Sequence, residues 1–243
     1  MADATAAPVR FSNPEVNTSE SAQKFSWEKG VPVNAFWDSI DWVSAIHFLG
    51  NFSDEERSQL PIDPNSTAST EDKAKLLVSL LDAKLAQEET AAAPKSLAET
   101  QPKAWRRLVH AQYVLQSKLG LVSDAGQSIR KLIEHFGDKD YVLKNSLADQ
   151  LVKEGDYVQA EKMMVSIVAA TDADMTKESP QGIGSRRSLL SAIWKQGPSR
   201  RADADTLVAE IKEAVQGMVG TKYEVYVKDE EEELERLLAE LAK

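Results

Sequence analysis

The residues most able to carry acid–base or metal chemistry are the histidines His47, His110 and His135, since imidazole titrates near neutrality without perturbation. They are scattered along the chain. Neither the His-x3-His nor the His-Glu-x-x-His spacing, which would set two metal ligands on one helical face, occurs. The chain has no cysteine, which removes disulfides, thiolate nucleophiles and cysteine-ligated metal. Gly182-Ile183-Gly184-Ser185 lacks the later glycine and the lysine of a phosphate-cradling loop. Glu88-Glu89 and Glu230 to Glu233 are neighbouring acids on the surface, not carboxylates paired across a cleft. No catalytic, cofactor or metal site is expected, and a non-enzymatic role is favoured.

The side chains that remain are charged and must be positioned by the body of the chain. Its 243 residues are 42% hydrophobic and 28% charged, the composition of an ordinary globular protein of one large or two small domains. A net charge of −10 argues against a general phosphate-backbone binder. The pairs Arg106-Arg107, Arg186-Arg187 and Arg200-Arg201 lack the interleaved aromatics of a nucleic-acid surface, so nucleic acid is disfavoured. Neither a secretory leader nor a membrane-length apolar run is visible, so the cytoplasm is the expected location, with the nucleus open.

Residues 1–24 read as a mobile N-terminal arm and residues 25–102 as a helical N-terminal part. Six of the sixteen aromatics, from Phe25 to Phe48, fall in its first stretch. Helical spacing of Trp37, Ile40, Val43, Ile46 and Leu49 predicts a helix over 34–49, packing as a core or capping element. Ser53 opens a short helix through a capping box, and Ser69 or Thr70 caps another reaching about Gln87. Residues 88–102 read mainly as linker. Six further helices are expected at about 103–118, 124–136, 140–153, 157–170, 185–196 and 202–217, with a long connection over 171–184. Residues 222–227 alternate like a short extended piece. A final helix begins near Asp229, with Glu230 to Glu233 as a solvated face and Leu234, Leu237, Leu238 and Leu241 as its apolar stripe.

Glycine followed five residues later by alanine occurs at Gly120/Ala125, Gly155/Ala160 and Gly197/Ala202, each between two helical segments. A helix–turn–helix unit needs glycine where one helix closes and a small side chain where the next crosses it. Residues 141–174 carry Leu147-Ala148, Leu151, Gly155, Tyr157, Ala160, Met164 and Ile167 in the pattern of one such unit. On these residues the chain resembles the tetratricopeptide-repeat (TPR) family over about 106–216. Residues 183–216 match more loosely, and residues 106–139 depart where Gln112 and Gln116 stand at apolar positions. The resemblance implies an all-α fold. Antiparallel helix pairs would stack as a short right-handed TPR-like α-solenoid in residues 103–243, ending in a capping helix.

The resemblance also implies a concave groove lined by the first helix of each pair. Its candidates are Arg107, His110 and Lys118, then Asn145, Asp149 and Lys153, then Arg187, Ser191, Trp194 and Lys195. Cations dominate this set, so the implied function is protein–protein interaction through capture of an acidic peptide or a partner helix. Asn145, Lys153, Arg187, Trp194 and Lys195 are the implied partner-binding residues. Ser146 stands where the family's chaperone-tail clamp has asparagine, which removes support for that ligand. Two alternatives stay open. One is an all-helical enzyme or small-molecule binder, with a pocket between residues 25–49 and the repeats and His47 or His110 as acid–base. The other is a structural subunit of a larger assembly docking through Leu234 to Leu241. The oligomeric state is left unassigned.

Overall fold

The computed structural model describes residues 9–10, 30–137 and 140–243. The arm expected over 1–24 and the first aromatics, Phe25 and Trp27, lie outside them, apart from Val9–Arg10 (β1). That dipeptide pairs antiparallel with Val31–Pro32 (β2), Val9 opposite Pro32. The rest of the described chain is helical: α1 Trp42–Leu49, α2 Asp54–Gln59, α3 Thr70–Ala92, α4 Leu97–Thr100, α5 Pro102–Lys118, α6 Val122–Phe136, α7 Tyr141–Glu154, α8 Tyr157–Met175, α9 Pro180–Trp194, α10 Arg201–Gln216 and α11 Val227–Leu241. The chain divides into two compact units, 1–128 and 129–243, with the junction inside α6.

In unit 1, α1, α3 and α4 pack against α5. The aromatic segment forms core. Phe36, Trp37, Phe48 and Phe52 are buried, with successive ring centroids 5.0, 5.9 and 4.8 Å apart. The single helix predicted over 34–49 is broken, however. Trp37–Ser39 make one 3-10 turn, Ile40 is extended, and Asp41 accepts a hydrogen bond from the Ser44 amide to start α1 at Trp42. An aspartate that caps a new helix competes with continuation of the old one. The buried Lys73 secures the segment to α3 by donating to the Ala35 carbonyl at 2.7 Å and to Ser39 Oγ at 2.9 Å. The 88–102 linker is largely helical, because α3 runs through Ala92 and the Ser96/Glu99 capping box opens α4 around the buried Leu97.

Unit 2 stacks antiparallel pairs, α7 with α8 and α9 with α10, followed by α11. This is the TPR-like arrangement. Ala148, Met164, Ile167, Ile183, Leu190 and Ile211 are fully buried within its core. Gly155 closes α7 at φ +86°, and Gly120 and Gly197 also lie in the left-handed region. A Cβ at any of the three would meet nothing within 4 Å, so these turns need glycine for its backbone angle and not for space.

The alanine half of the pattern holds twice. Ala125 and Ala160 are fully buried, whereas Ala202 is exposed and Ala204 occupies the crossing. The 3-10 turn Pro198–Arg200 precedes α10 and shifts its register. The expected long connection over 171–184 is only a four-residue turn, because α8 continues to Met175 and Pro180 starts α9 behind the Ser179 cap. Gly182 and Gly184 therefore lie within α9; at Gly182 a Cβ would approach the Thr176 carbonyl to 2.8 Å. The extended piece expected over 222–227 is a 3-10 turn, Glu224–Tyr226, that feeds directly into α11.

Candidate functional site

All five implied partner-binding residues fall in unit 2, on or at the end of α7 and α9. Along α7, Asn145, Asp149 and Lys153 follow a one-turn spacing that places them on one face. Ser188 of α9 donates a hydrogen bond to Asp149, which puts that face against α9. Asp149 keeps solvent access, yet surrounding protein desolvates it enough to raise its carboxyl pKa against the opposing effects of Ser188 and Lys153. One turn earlier, Asn145 Oδ1 is buried without a hydrogen-bond partner. Lys153 and Lys195 are exposed.

Arg187 and Trp194 are engaged by the chain itself. Arg187 Nη1 pairs with Glu230 of α11, and burial pushes the guanidinium pKa down while Glu233 opposes the shift. Trp194 Nε1–H donates to the Leu241 carbonyl at 2.8 Å, and the Arg201 guanidinium lies 3.5 Å from the indole centroid. Glu230, expected on a solvated face, is buried, because the start of α11 meets Arg187. Between α9 and α11 lies a cavity of about 230 Å³, lined by Gly184, Arg187, Ser188 and Ser191 on one side and Glu233, Arg236, Leu237 and Glu240 on the other. The facing surfaces of α7, α9 and α11 thus adjoin, with Ser188 turned to both neighbours. Ser188 and the α11 residues stand outside the positions that the sequence marks as candidates. The 3,4-spacing of Glu233, Arg236, Leu237 and Glu240 is the signal that could have found the third row.

In unit 1, Arg107 is exposed and its carbonyl accepts from Asn51 Nδ2 at 3.4 Å. Helices α1 and α5 bring His47 and His110 edge to face, with ring centroids 4.7 Å apart. Burial lowers the His47 pKa below its ordinary value of 6.5, and the Asp41 charge opposes the shift. Above about pH 6.5 His47 is neutral in both folded and unfolded chains. As the pH falls the unfolded chain takes the proton first, so folding stability drops until the pH passes below the folded value. The melting temperature should therefore decline as the pH falls through the ordinary histidine value of 6.5, and a His47→Gln variant should follow a flatter curve. Equal slopes would exclude His47 as the source.

A cavity of about 340 Å³ opens between α1, α3 and α5, lined by Ile40, Ala74, Leu115 and Leu119 together with Asp41 and Lys118; neither imidazole lines it. Among the described residues, no three His, Cys, Asp or Glu side chains come together in a group able to hold a metal ion. Nor is any helix among them long and apolar enough to cross a membrane.

No family model matches the chain, and no curated protein matches it. Among solved structures it is similar to a Podosopora anserina protein described as a putative kinesin light chain with nearly identical TPR-like repeats. That structure shares 14% identity over 62% of this chain and 90% of the other, with a TM-score of 0.39. A point variant of the same protein gives 14% identity over 59% and 87%, with a TM-score of 0.38.

Proposed function

We propose that the protein is a non-enzymatic interaction module whose recognition part is the repeat half, residues 103–243, with the helical part 25–102 as its support. The partner is an acidic segment received by the inner surfaces of α7 and α9. The observation that carries this reading is the polar row on α7: an unpartnered, buried Asn145 Oδ1, an exposed but crowded Asp149, and the exposed Lys153. An amide oxygen buried without a partner is costly, and an extended peptide supplies backbone amide donors to meet it and carboxylates for the exposed cations. Lys153 and Lys195 are the exposed cations placed to steer an acidic partner. Arg187 and Trp194 contribute through α11.

Affinity capture from native extract, with the full chain as bait, tests the proposal. Reversing both exposed cations, Lys153→Glu with Lys195→Glu, should reduce capture of the principal partner about thirtyfold, as expected for two interfacial charges that each contribute on the order of 1 kcal/mol. The melting temperature should stay within about 2 °C, because neither lysine lies in the core. Undiminished capture by the double variant would exclude the α7–α9 surface. Reversing Arg187 would be a poorer probe, since it sets a new carboxylate against Glu230 and disturbs the fold.

A second reading draws on the cavity between α1, α3 and α5. Its volume lies at the lower end for small-molecule sites, and its charged pair, Asp41 and Lys118, would orient a zwitterionic ligand against apolar walls. Stabilisation of the full chain by such a ligand, lost in Leu115→Trp, would favour it over peptide capture.

A further inference from the structure

Gly184 lies in the interior of α9 without the two constraints that usually call for glycine. Its φ is not positive, and a Cβ would meet, among the described residues, only Arg187 Nη2, at an ordinary contact distance of 3.8 Å. Gly182 differs, since a Cβ there would strike the Thr176 carbonyl. Glycine weakens a helix interior relative to alanine, because its backbone loses more freedom on folding. What the missing methyl leaves at position 184 is space. Gly184 borders the 230 Å³ cavity between α9 and α11, on the same α9 face as Arg187, Ser188 and Ser191, which follow at i+3, i+4 and i+7.

The polar groups around this space differ in what they have left to offer. Arg187 spends Nη1 on Glu230, whereas Nη2 lies beside Gly184 with no partner among the described residues. Ser188 gives its hydroxyl hydrogen to Asp149, and Ser191 gives its own to the Arg187 carbonyl at 3.2 Å. Both serine oxygens therefore meet an occupant as acceptors. Arg236 is paired with Glu233, and Glu240 adds a carboxylate at the exposed rim. Two guanidiniums and two carboxylates line the cavity, so its walls carry no net charge. A carboxylate placed inside would gain from Arg187 and be repelled by Glu233 and Glu240, and an ammonium would meet the reverse. An uncharged group with one acceptor and two donors answers Arg187 Nη2 and both serine oxygens at once, and a primary amide is that group.

We propose that the α9–α11 cavity is a subsite for a primary carboxamide, the glutamine or asparagine side chain of the captured segment, and that Gly184 keeps it open. The amide oxygen accepts from Arg187 Nη2, the amide nitrogen donates to Ser188 and Ser191, and the methylene carbons lie against Leu237. Acidic residues elsewhere in the segment are left for Lys153 and Lys195. This deepens the reading of unit 2 as a capture module and rests on it for the path of the segment over α7 and α9.

The probes are three fluorescein-labelled heptapeptides with three glutamates on each side of a central glutamine, glutamate or methionine, titrated by anisotropy against the full chain. The glutamine peptide should bind about tenfold more tightly than the other two, as expected for one or two hydrogen bonds that its near-isosteres cannot make. Equal binding of the three, preference for glutamate or methionine, or no binding of the glutamine peptide overturns the proposal.

Gly184→Ala separates a role in the site from a role in the fold. The variant chain should melt about 2–4 °C above the natural one, while its affinity for the glutamine peptide falls about fivefold, because the added methyl occupies the place of the amide. A lower melting temperature would mean that the fold itself needs the glycine. A higher one with unchanged affinity would mean that the space is not used, and either result overturns the proposal. If capture from extract falls in the Lys153→Glu, Lys195→Glu chain while the three peptides bind alike, the capture reading stands and this inference falls. If capture ignores that pair while the glutamine preference holds and is lost in Gly184→Ala, the acidic-segment reading falls and the subsite stands.

Discussion

Truncating Phe48 to alanine is expected to lower the stability of unit 1 by about 3–5 kcal/mol. Phe48 is fully buried between the rings of Trp37 and Phe52, so the truncation removes both ring contacts and leaves a void. The surroundings have little freedom to collapse into it. Trp37 is fixed by its own edge contact with Phe36, and the turn before α1 is held by Asp41, whose carboxylate also accepts from Ser44 Oγ at 2.6 Å. Urea unfolding followed by tryptophan emission gives the measurement. A loss below about 1 kcal/mol would mean that the aromatic segment is not the core of its unit.

In unit 2 the corresponding result concerns an ion pair. Arg186 is buried and grips Asp172 with two hydrogen bonds, of 2.8 and 2.6 Å, while also donating to the Gly182 carbonyl. Asp172→Ala leaves a buried guanidinium with one carbonyl acceptor. The expected cost is about 3 kcal/mol, at the low end for a broken buried pair because the aspartate is partly exposed. Replacing both residues, Asp172→Leu with Arg186→Met, should cost about 1 kcal/mol or less, since the desolvation of the charges disappears with them. Chemical denaturation of the single and double variants makes the comparison. A double variant as unstable as Asp172→Ala would show that the pair matters by shape and not by charge.

This pair locks the turn between α8 and α9, and that turn shows where pattern reading stops. Gly182, Gly184 and Pro180 together look like a loop, because each residue type breaks helices in isolation. Here Pro180 sits in the first turn, where its missing amide costs nothing, and Gly182 admits the Thr176 carbonyl. The local start signal, Ser179 followed by Pro180, decided the matter, and the two glycines behind it masked it. The same holds for Asp41, which divides an apolar-periodic stretch by capping, and for Ala204, which replaces Ala202 once a 3-10 turn is inserted. Helical periodicity from α5 onward was legible because each helix buries one face, as the burial of Leu147, Leu151, Met164 and Ile167 shows.

The candidate site was legible only in part. The one-turn ladder of Asn145, Asp149 and Lys153 follows from spacing alone. The capture of Arg187 and Trp194 by α11 does not, because Glu230 and Leu241 lie far along the chain and Glu230 belongs to an acidic run of the kind that normally faces water. The contact between His47 and His110 is hidden for the same reason.

The two glutamines that broke the repeat pattern in α5 bear on how far the chain can be treated as modular. Gln112 Nε2 donates to Asp82 of α3 at 2.6 Å, and Gln116 accepts from Ser128 of α6 at 2.8 Å, both from buried positions. Helix α5 is therefore matched to its particular neighbours and is not an interchangeable repeat. Replacing it with an idealised first helix, leucine at both positions, would strand the buried Ser128 hydroxyl and take from the exposed Asp82 its amide partner. The α7–α8 pair has a fully apolar crossing at Ala148, Ala160 and Met164, yet Asp172 and Glu161 tie α8 just as specifically to Arg186 and Arg200, so neither pair is a free-standing module.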